Sequence, residues 1–171
     1  MHLRDATADD ACAIAAIYNH FVRTTTISFE EEPVSEADMQ MRIAAVHSAA
    51  LPWLVATIDG KVAAYAYATP WRVRPAYRFS VESSVYVAPE AARHGLGRAL
   101  YGALFERLRN AGRHLVIGGI ALPNDASIGL HESMKFDKVA HFSEVGFKFG
   151  RWVDVGYWQL RLQAPLINAM P

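Results

Sequence analysis

The chain has 171 residues, enough for one domain that buries a core without a disulfide or structural metal. It is 52% hydrophobic and 20% charged, which excludes a disordered segment. Lys plus Arg and Asp plus Glu both total 17, so the zero net charge speaks against a general nucleic-acid binder. The single cysteine, Cys12, permits no intrachain disulfide, and no His/Cys cluster has zinc spacing, so we expect no metal. No apolar run approaches the ~18–20 residues of a membrane span, and Met1 to Asp5 lack a signal peptide's apolar stretch. We expect a cytoplasmic protein with no membrane partner, one domain over 1–163 and a short tail over 164–171.

Leu3 to Ala6 reads as a first strand. Thr7 is a helix N-cap, with Asp9 and Asp10 suited to the positive end of the helix dipole. Ala11, Ile14, Ala15, Ile17, Tyr18 and Phe21 follow at helical spacing, and Cys12 is expected to pack among them. Ser35 and Asp38 form a second cap ahead of Met39, Ile43 and Val46. Trp53–Ile58 and Lys61–Ala68 flank Asp59-Gly60, a hairpin signal because glycine tolerates positive φ. After a loop over Pro70–Pro75, Phe79–Val87 is a strand. A glycine-containing turn, Arg93–Arg98, opens a helix carrying Leu96, Leu100, Ala103, Leu104 and Leu108. Leu115–Ile120 reads as a buried strand. Ala126–Met134 is a helix capped by Asn124 or Asp125, and Val139–Phe149 pairs with Val153–Leu162. The order β α α β β β α β α β β predicts an α/β domain with a mostly antiparallel sheet.

The stretch Val85 to Leu100 carries the chemistry. A strand runs into a turn with Gly95 and Gly97, and a helix opens from it. Unpaired N–H groups at a helix N-terminus suit a phosphate or pyrophosphate, and Arg93, His94 and Arg98 add positive charge or donors. No GxxxxGK[ST] is present, so this is not a Walker A loop. A dinucleotide fingerprint would need a third glycine where Leu100 stands and an acid near Leu115–Ile120.

These residues resemble motif A of the GNAT superfamily of acetyltransferases, [QR]-x-x-G-x-[GA]. Gly95 and Gly97 match it; Ala92 stands where the family prefers Gln or Arg. Asn124 to His131 resembles the family's N-x-x-S-x-x-L-[YH] helix, followed by Lys135-Phe136 where the family has Gly-Phe. From about Leu3 to Leu162 the chain is similar to the phosphinothricin and methionine sulfoximine N-acetyltransferases. The carrying segments include Ile17-Tyr18-Asn19, Thr25–Phe29, Val81–Val87 and Val145–Trp152.

The resemblance implies a mixed sheet of six to seven strands with about four helices, acetyl-CoA as cosubstrate, a small-molecule amine as acceptor and a homodimer. It also implies a link to antibiotic or herbicide resistance. The cofactor would lie along Val85, Tyr86, Val87, Arg93, His94, Gly95, Leu96, Gly97, Arg98, Asn124 and Ser127. The implied splay of the central strand from Leu115–Ile120 would admit the pantetheine arm, and Gly118-Gly119 marks a closely approached backbone there. The amine would meet Phe29, Arg72, Val73, Arg74, Tyr77, Glu82, Ser83 and Ser84, with Trp71 and Phe147 as candidate further walls; for each of these aromatics taken singly a core position is the favoured reading.

Glu82, a carboxylate in an otherwise apolar strand, is the expected base; the competing reading is a solvated or ion-paired strand-edge acid. His131 is the expected acid to the departing thiolate, with Tyr157 as the alternative. A packed helix histidine is the competing reading. One of Arg72 and Arg74 is expected to hold a substrate carboxylate, against the reading that both are solvated. Lys148 and Arg151 read as a solvated turn. Two other functions stay open: acetylation of a protein N-terminus or polyamine, and a coenzyme A-binding module without turnover.

Overall fold

The computed structural model describes residues 1–162; the predicted domain end at 163 and the tail over 164–171 lie outside the described residues. The strands are β1 (His2–Asp5), β2 (Trp53–Ile58), β3 (Lys61–Pro70), β4 (Ser80–Val87), β5 (Leu115–Ala121), β6 (Asp137–Lys148) and β7 (Arg151–Arg161). The helices are α1 (Ala11–Thr24), α2 (Glu36–Ser48), α3 (Leu96–Asn110) and α4 (Asp125–Ser133). Seven strands form one sheet in the order β1-β2-β3-β4-β5-β7-β6, antiparallel except for β4 with β5. The predicted element order and fold class hold. No helix among the described residues is long and apolar enough to cross a membrane.

Local chemistry explains most boundaries. Asp59 and Gly60 turn the β2–β3 hairpin at φ 49° and 77°, as a two-residue turn demands. The Ser35 side chain accepts the Asp38 N–H at 3.1 Å and starts α2. Thr7 opens a 3-10 turn over Ala8–Asp10 ahead of α1. There the Asp10 carboxylate accepts the Thr7 N–H at 2.8 Å, and Arg4 grips it at 2.6 and 2.7 Å. At the end of α4, Lys135 takes φ 70°, the left-handed conformation that favours glycine.

The side chains of Val81 and Ser83 lie on the α3 face of the sheet. Glu82, Ser84 and Tyr86 alternate onto the face that α1 covers, where Tyr86 meets Tyr18 edge-on at 5.2 Å. On this face Trp53, Tyr67, Tyr65 and Tyr86 form a row of stacked rings between the sheet and α1–α2. Leu96, Leu100, Leu104 and Leu108 of α3 fill the other side. Cys12 does not join the core. It points to solvent, because the buried stripe of α1 runs through Ala11, Ile14, Ala15, Tyr18 and Val22.

The feature that positions the site is the break between the central strands. β4 and β5 pair only at Ser80–Leu115, Val81–Val116 and Glu82–Ile117. Beyond Glu82, β4 stays with β3 while β5 stays with β7, so the two part as the resemblance implied.

Candidate active site

The turn before α3 is shaped by two residues with positive φ, Arg93 at 65° and Gly95 at 75°. The side of Gly95 where a side chain would stand is open. Gly97 serves a different need: a Cβ there would lie 3.1 Å from Leu130 and 3.9 Å from Val85 and Val87. Its absence lets α3 approach α4 and β4. No side chain caps α3, and the first helical bond is Ala99 N–H to the Gly95 carbonyl. The N–H groups of Leu96, Gly97 and Arg98 therefore stand at the helix mouth without intrahelical partners.

This mouth opens on a cleft of about 580 Å³. Val85, Tyr86 and Val87 form one wall; Arg93, Gly95, Leu96, Gly97 and Arg98 form the turn; Asn124 and Ser127 close the far side. Of the predicted cofactor residues, His94 alone is not on this lining; it is exposed on the outside of the turn. The sequence reading missed His20, Phe21, Ile27 and Leu130, which line the cleft as well. Phe21 was legible only as part of a helical stripe, because nothing local tells which end of α1 overhangs the turn. Asn124, rather than Asp125, caps α4: its Oδ1 accepts the Ser127 N–H at 3.1 Å.

A narrow channel between the parted strands continues the cleft, lined by Ser83, Ser84, Tyr101, Gly119 and His131 among others. Gly119 also lines a third cavity of about 290 Å³, with Ile27, Phe29, Glu82, Val145 and Tyr157. The two strand glycines face opposite ways. A Cβ on Gly118 would lie 2.5 Å from His131 Nε2, whereas one on Gly119 would lie 3.2 Å from both Glu82 Oε1 and Tyr157. Gly119 is the point where channel and amine-sized cavity meet, and Glu82 stands beside it.

Burial lifts the Glu82 carboxyl above the usual carboxylate range, and the positive charge of Arg72 opposes the shift. Burial and the neighbouring Glu82 raise the Tyr157 phenol, which keeps its proton. Arg72 stacks over Trp71 at 4.8 Å, and Trp71 meets the edge of Tyr157 at 5.8 Å. Of the two predicted arginines, Arg72 is the one whose charge acts on Glu82. Arg72, Val73, Arg74 and Tyr77 all stand exposed on the loop, and none of the four is part of the cavity lining. Phe147 is not a wall either; it lies half exposed against Trp152.

His131 is buried in a chain of hydrogen bonds. Its Nδ1 is 2.8 Å from the Ser127 carbonyl, which can only accept, so Nδ1 carries the proton. Nε2 then accepts from the Tyr101 hydroxyl at 3.2 Å, and Ser83 Oγ donates to Tyr101 at 3.5 Å. Burial lowers the imidazole's pKa. Both ring nitrogens of His131 are thus engaged in hydrogen bonds, on the lining of the channel. Lys148, expected on a solvated turn, is buried at 2% exposure.

Comparison with known proteins follows the same line. Residues 14–136 match the model of the Acetyltransferase (GNAT) family. The chain is 47% identical to a phosphinothricin N-acetyltransferase of Alcaligenes faecalis, over 91% of this chain and 80% of that protein. It is 38% identical to an L-methionine sulfoximine/L-methionine sulfone acetyltransferase of Salmonella typhimurium, over 95% of each. A crystal structure of a GNAT superfamily phosphinothricin acetyltransferase from Sinorhizobium meliloti, in complex with acetyl-CoA, superposes with a TM-score of 0.92 at 37% identity. That match covers 99% of this chain and 95% of the other. The family-model match over most of the chain and the identity to these relatives over nearly its whole length establish that this chain belongs to the GNAT family of acetyltransferases.

Proposed function

We propose that this enzyme moves the acetyl group of acetyl-CoA to the amine of a small amino-acid analogue of the phosphinothricin or methionine sulfoximine kind. The observation that carries the reading is the raised carboxyl of Glu82 at the junction of channel and cavity. The free N–H groups of Leu96, Gly97 and Arg98, with Arg93 beside them, would hold the pyrophosphate. The amide nitrogen of Asn124 remains a donor toward the cleft, since its oxygen caps α4. Past Glu82, the edge of β4 facing β5 is unpaired, so its outward N–H groups are available to the pantetheine arm and the thioester oxygen. Ala92 withdraws one side-chain contact, which Arg93 and the backbone replace.

In the reaction the amine nitrogen forms a bond to the thioester carbon and the carbon–sulfur bond breaks. Glu82 takes the proton that the ammonium must lose, and the sulfur leaves as thiolate. Tyr157, protonated and beside Glu82, is better suited than His131 to return a proton to that sulfur. His131 instead holds Tyr101 and Ser83 along the channel wall. Arg72 offers a guanidinium to a substrate carboxylate. The apolar lining of the amine cavity, with one carboxylate, favours a compact substrate over a polycation. Acetylation would remove the nucleophile of a toxic amino-acid analogue, which is the route to antibiotic or herbicide resistance. A dimer would cover the exposed aromatic face of β6 and β7, and a cytoplasmic location supplies acetyl-CoA.

The test is thiol release from acetyl-CoA with methionine sulfone, phosphinothricin, a peptide amine and a polyamine. We expect turnover with the first two and a loss of about 10²–10⁴-fold in kcat for Glu82→Gln, with coenzyme A binding retained. Turnover confined to the peptide or polyamine, or unchanged in Glu82→Gln, removes the reading.

A further inference from the structure

Lys148 ends β6 as one of the most deeply buried side chains of the described residues, although its charge would ordinarily seek water. Its ammonium donates to the Val22 carbonyl at 2.8 Å and to the Ser28 carbonyl at 2.6 Å. Val22 lies in the last turn of α1, where carbonyls lack helical partners and the dipole is negative. Ser28 lies in the segment joining α1 to α2. The Lys148 ammonium also lies 5.0 Å from the centre of the Phe149 ring, and the negative charges of Glu31 and Glu30 act on it.

The residues on either side of Ser28 are the ones that matter to the site. Ile27 lines the cofactor cleft, the channel and the amine cavity, and Phe29 lines the amine cavity. The Phe29 ring rests on β6 at Gly146, where a methyl group would collide with it. From the opposite side, Tyr18 of α1 meets Ser28 Oγ at 2.7 Å, and Asn19 brackets the Val34 backbone with bonds of 2.7 and 2.8 Å. The segment is thus tethered to α1 on one flank and to β6 on the other. The β6 tether consists of Lys148 and the bare backbone at Gly146.

We propose that Lys148 is a positioning residue: by tying the Ser28 carbonyl to the end of β6, it sets Ile27 and Phe29 as the wall between acetyl donor and amine. The proposal rests on the reading of the Glu82 cavity as the amine site. A buried ammonium bonded to two carbonyls is a costly way to fill space, because an apolar side chain would avoid desolvating a charge. What it supplies is direction, since three N–H donors on one nitrogen can join α1's last turn and the loop at a single point. Residues 120 and 126 positions apart in the chain are joined by these two bonds.

The experiment uses the full chain with Lys148→Met, which keeps length and removes the donors. Amine KM is expected to rise about tenfold or more while kcat changes less than about threefold, a split that separates positioning from loss of folded enzyme. Coenzyme A affinity by calorimetry should move little, since the α3 turn is untouched. A folded variant with unchanged amine KM overturns the proposal. Amide hydrogen exchange over residues 25–34, compared with α3 in the same sample, reads the tether without any substrate. Faster exchange confined to 25–34 supports it, and unchanged exchange overturns it even if none of the proposed amines is acetylated. If Lys148→Met fails to fold, Gly146→Ala displaces Phe29 from the same flank. A raised amine KM there supports a β6-set wall, and an unchanged one overturns it.

Discussion

Glu82 keeps a half-buried carboxylate, and that sets two opposite pH responses. As the proposed base, Glu82 must be ionised to take a proton, so kcat/KM should fall as pH drops through a pKa above the ordinary carboxylate value of about 4.3. The raised pKa also means that the folded state binds this proton more readily than the unfolded chain. Stability linked to Glu82 therefore rises as pH falls through the raised value, and the ionised carboxylate is a burden at neutral pH. Glu82→Gln should lose the acid limb of the pH profile and raise Tm at pH 7 by a degree or more. A pH–rate profile and a thermal melt check the pair, and a lower Tm in the variant would contradict the burial argument. The sequence showed a lone carboxylate in an apolar strand, which is why this residue was legible. It did not show which loop arginine opposes it, because Arg72 and Arg74 are equivalent until the loop path is known. Nor did it show that the proton of His131 is already committed to Ser127.

At the scale of elements, caps and turns were readable because their chemistry acts within a few residues. The two-residue hairpin turn, the Ser35 cap and the Asn124 cap all follow from side chains adjacent to the bonds they make. The start of α1 adds a partner from outside. Arg4 in β1 grips Asp10, hydrogen bonding lowers the Asp10 pKa, and the same carboxylate holds the Thr7 N–H. We expect Asp10→Ala to lower stability by about 2 kcal/mol, or roughly 4–8 °C in Tm. With its pKa depressed, the stabilisation by Asp10 is complete above its unfolded value and lost as pH falls through the folded one. The gap between wild type and variant in thermal melts should thus close toward acid pH. A gap of the same size at pH 7 and in strong acid would contradict the ion-pair account.

At the scale of the whole molecule, β6 forms one edge of the sheet, and Phe142, Phe147, Phe149 and Trp152 of the β6–β7 hairpin are each half exposed or more. An apolar surface on an edge hairpin invites another chain. If a second copy covers it, Trp152→Lys should halve the mass seen by sedimentation at micromolar concentration and leave the fold intact. A wild type that already sediments as a monomer removes the dimer.

The amino-acid sequence by itself determined the element order, the turns, the glycine mouth of α3 and the carboxylate in the central strand. Periodicity, capping and positive φ are satisfied or violated within a few residues, so one chain read in order carries them. Only the tertiary structure decided where β4 parts from β5, that Cys12 faces water, and that Lys148 is buried against a loop more than a hundred positions away. Those outcomes depend on which surfaces meet once the sheet is assembled. Burial, and with it each pKa and each unpaired carbonyl, is a property of that meeting rather than of any local run of residues.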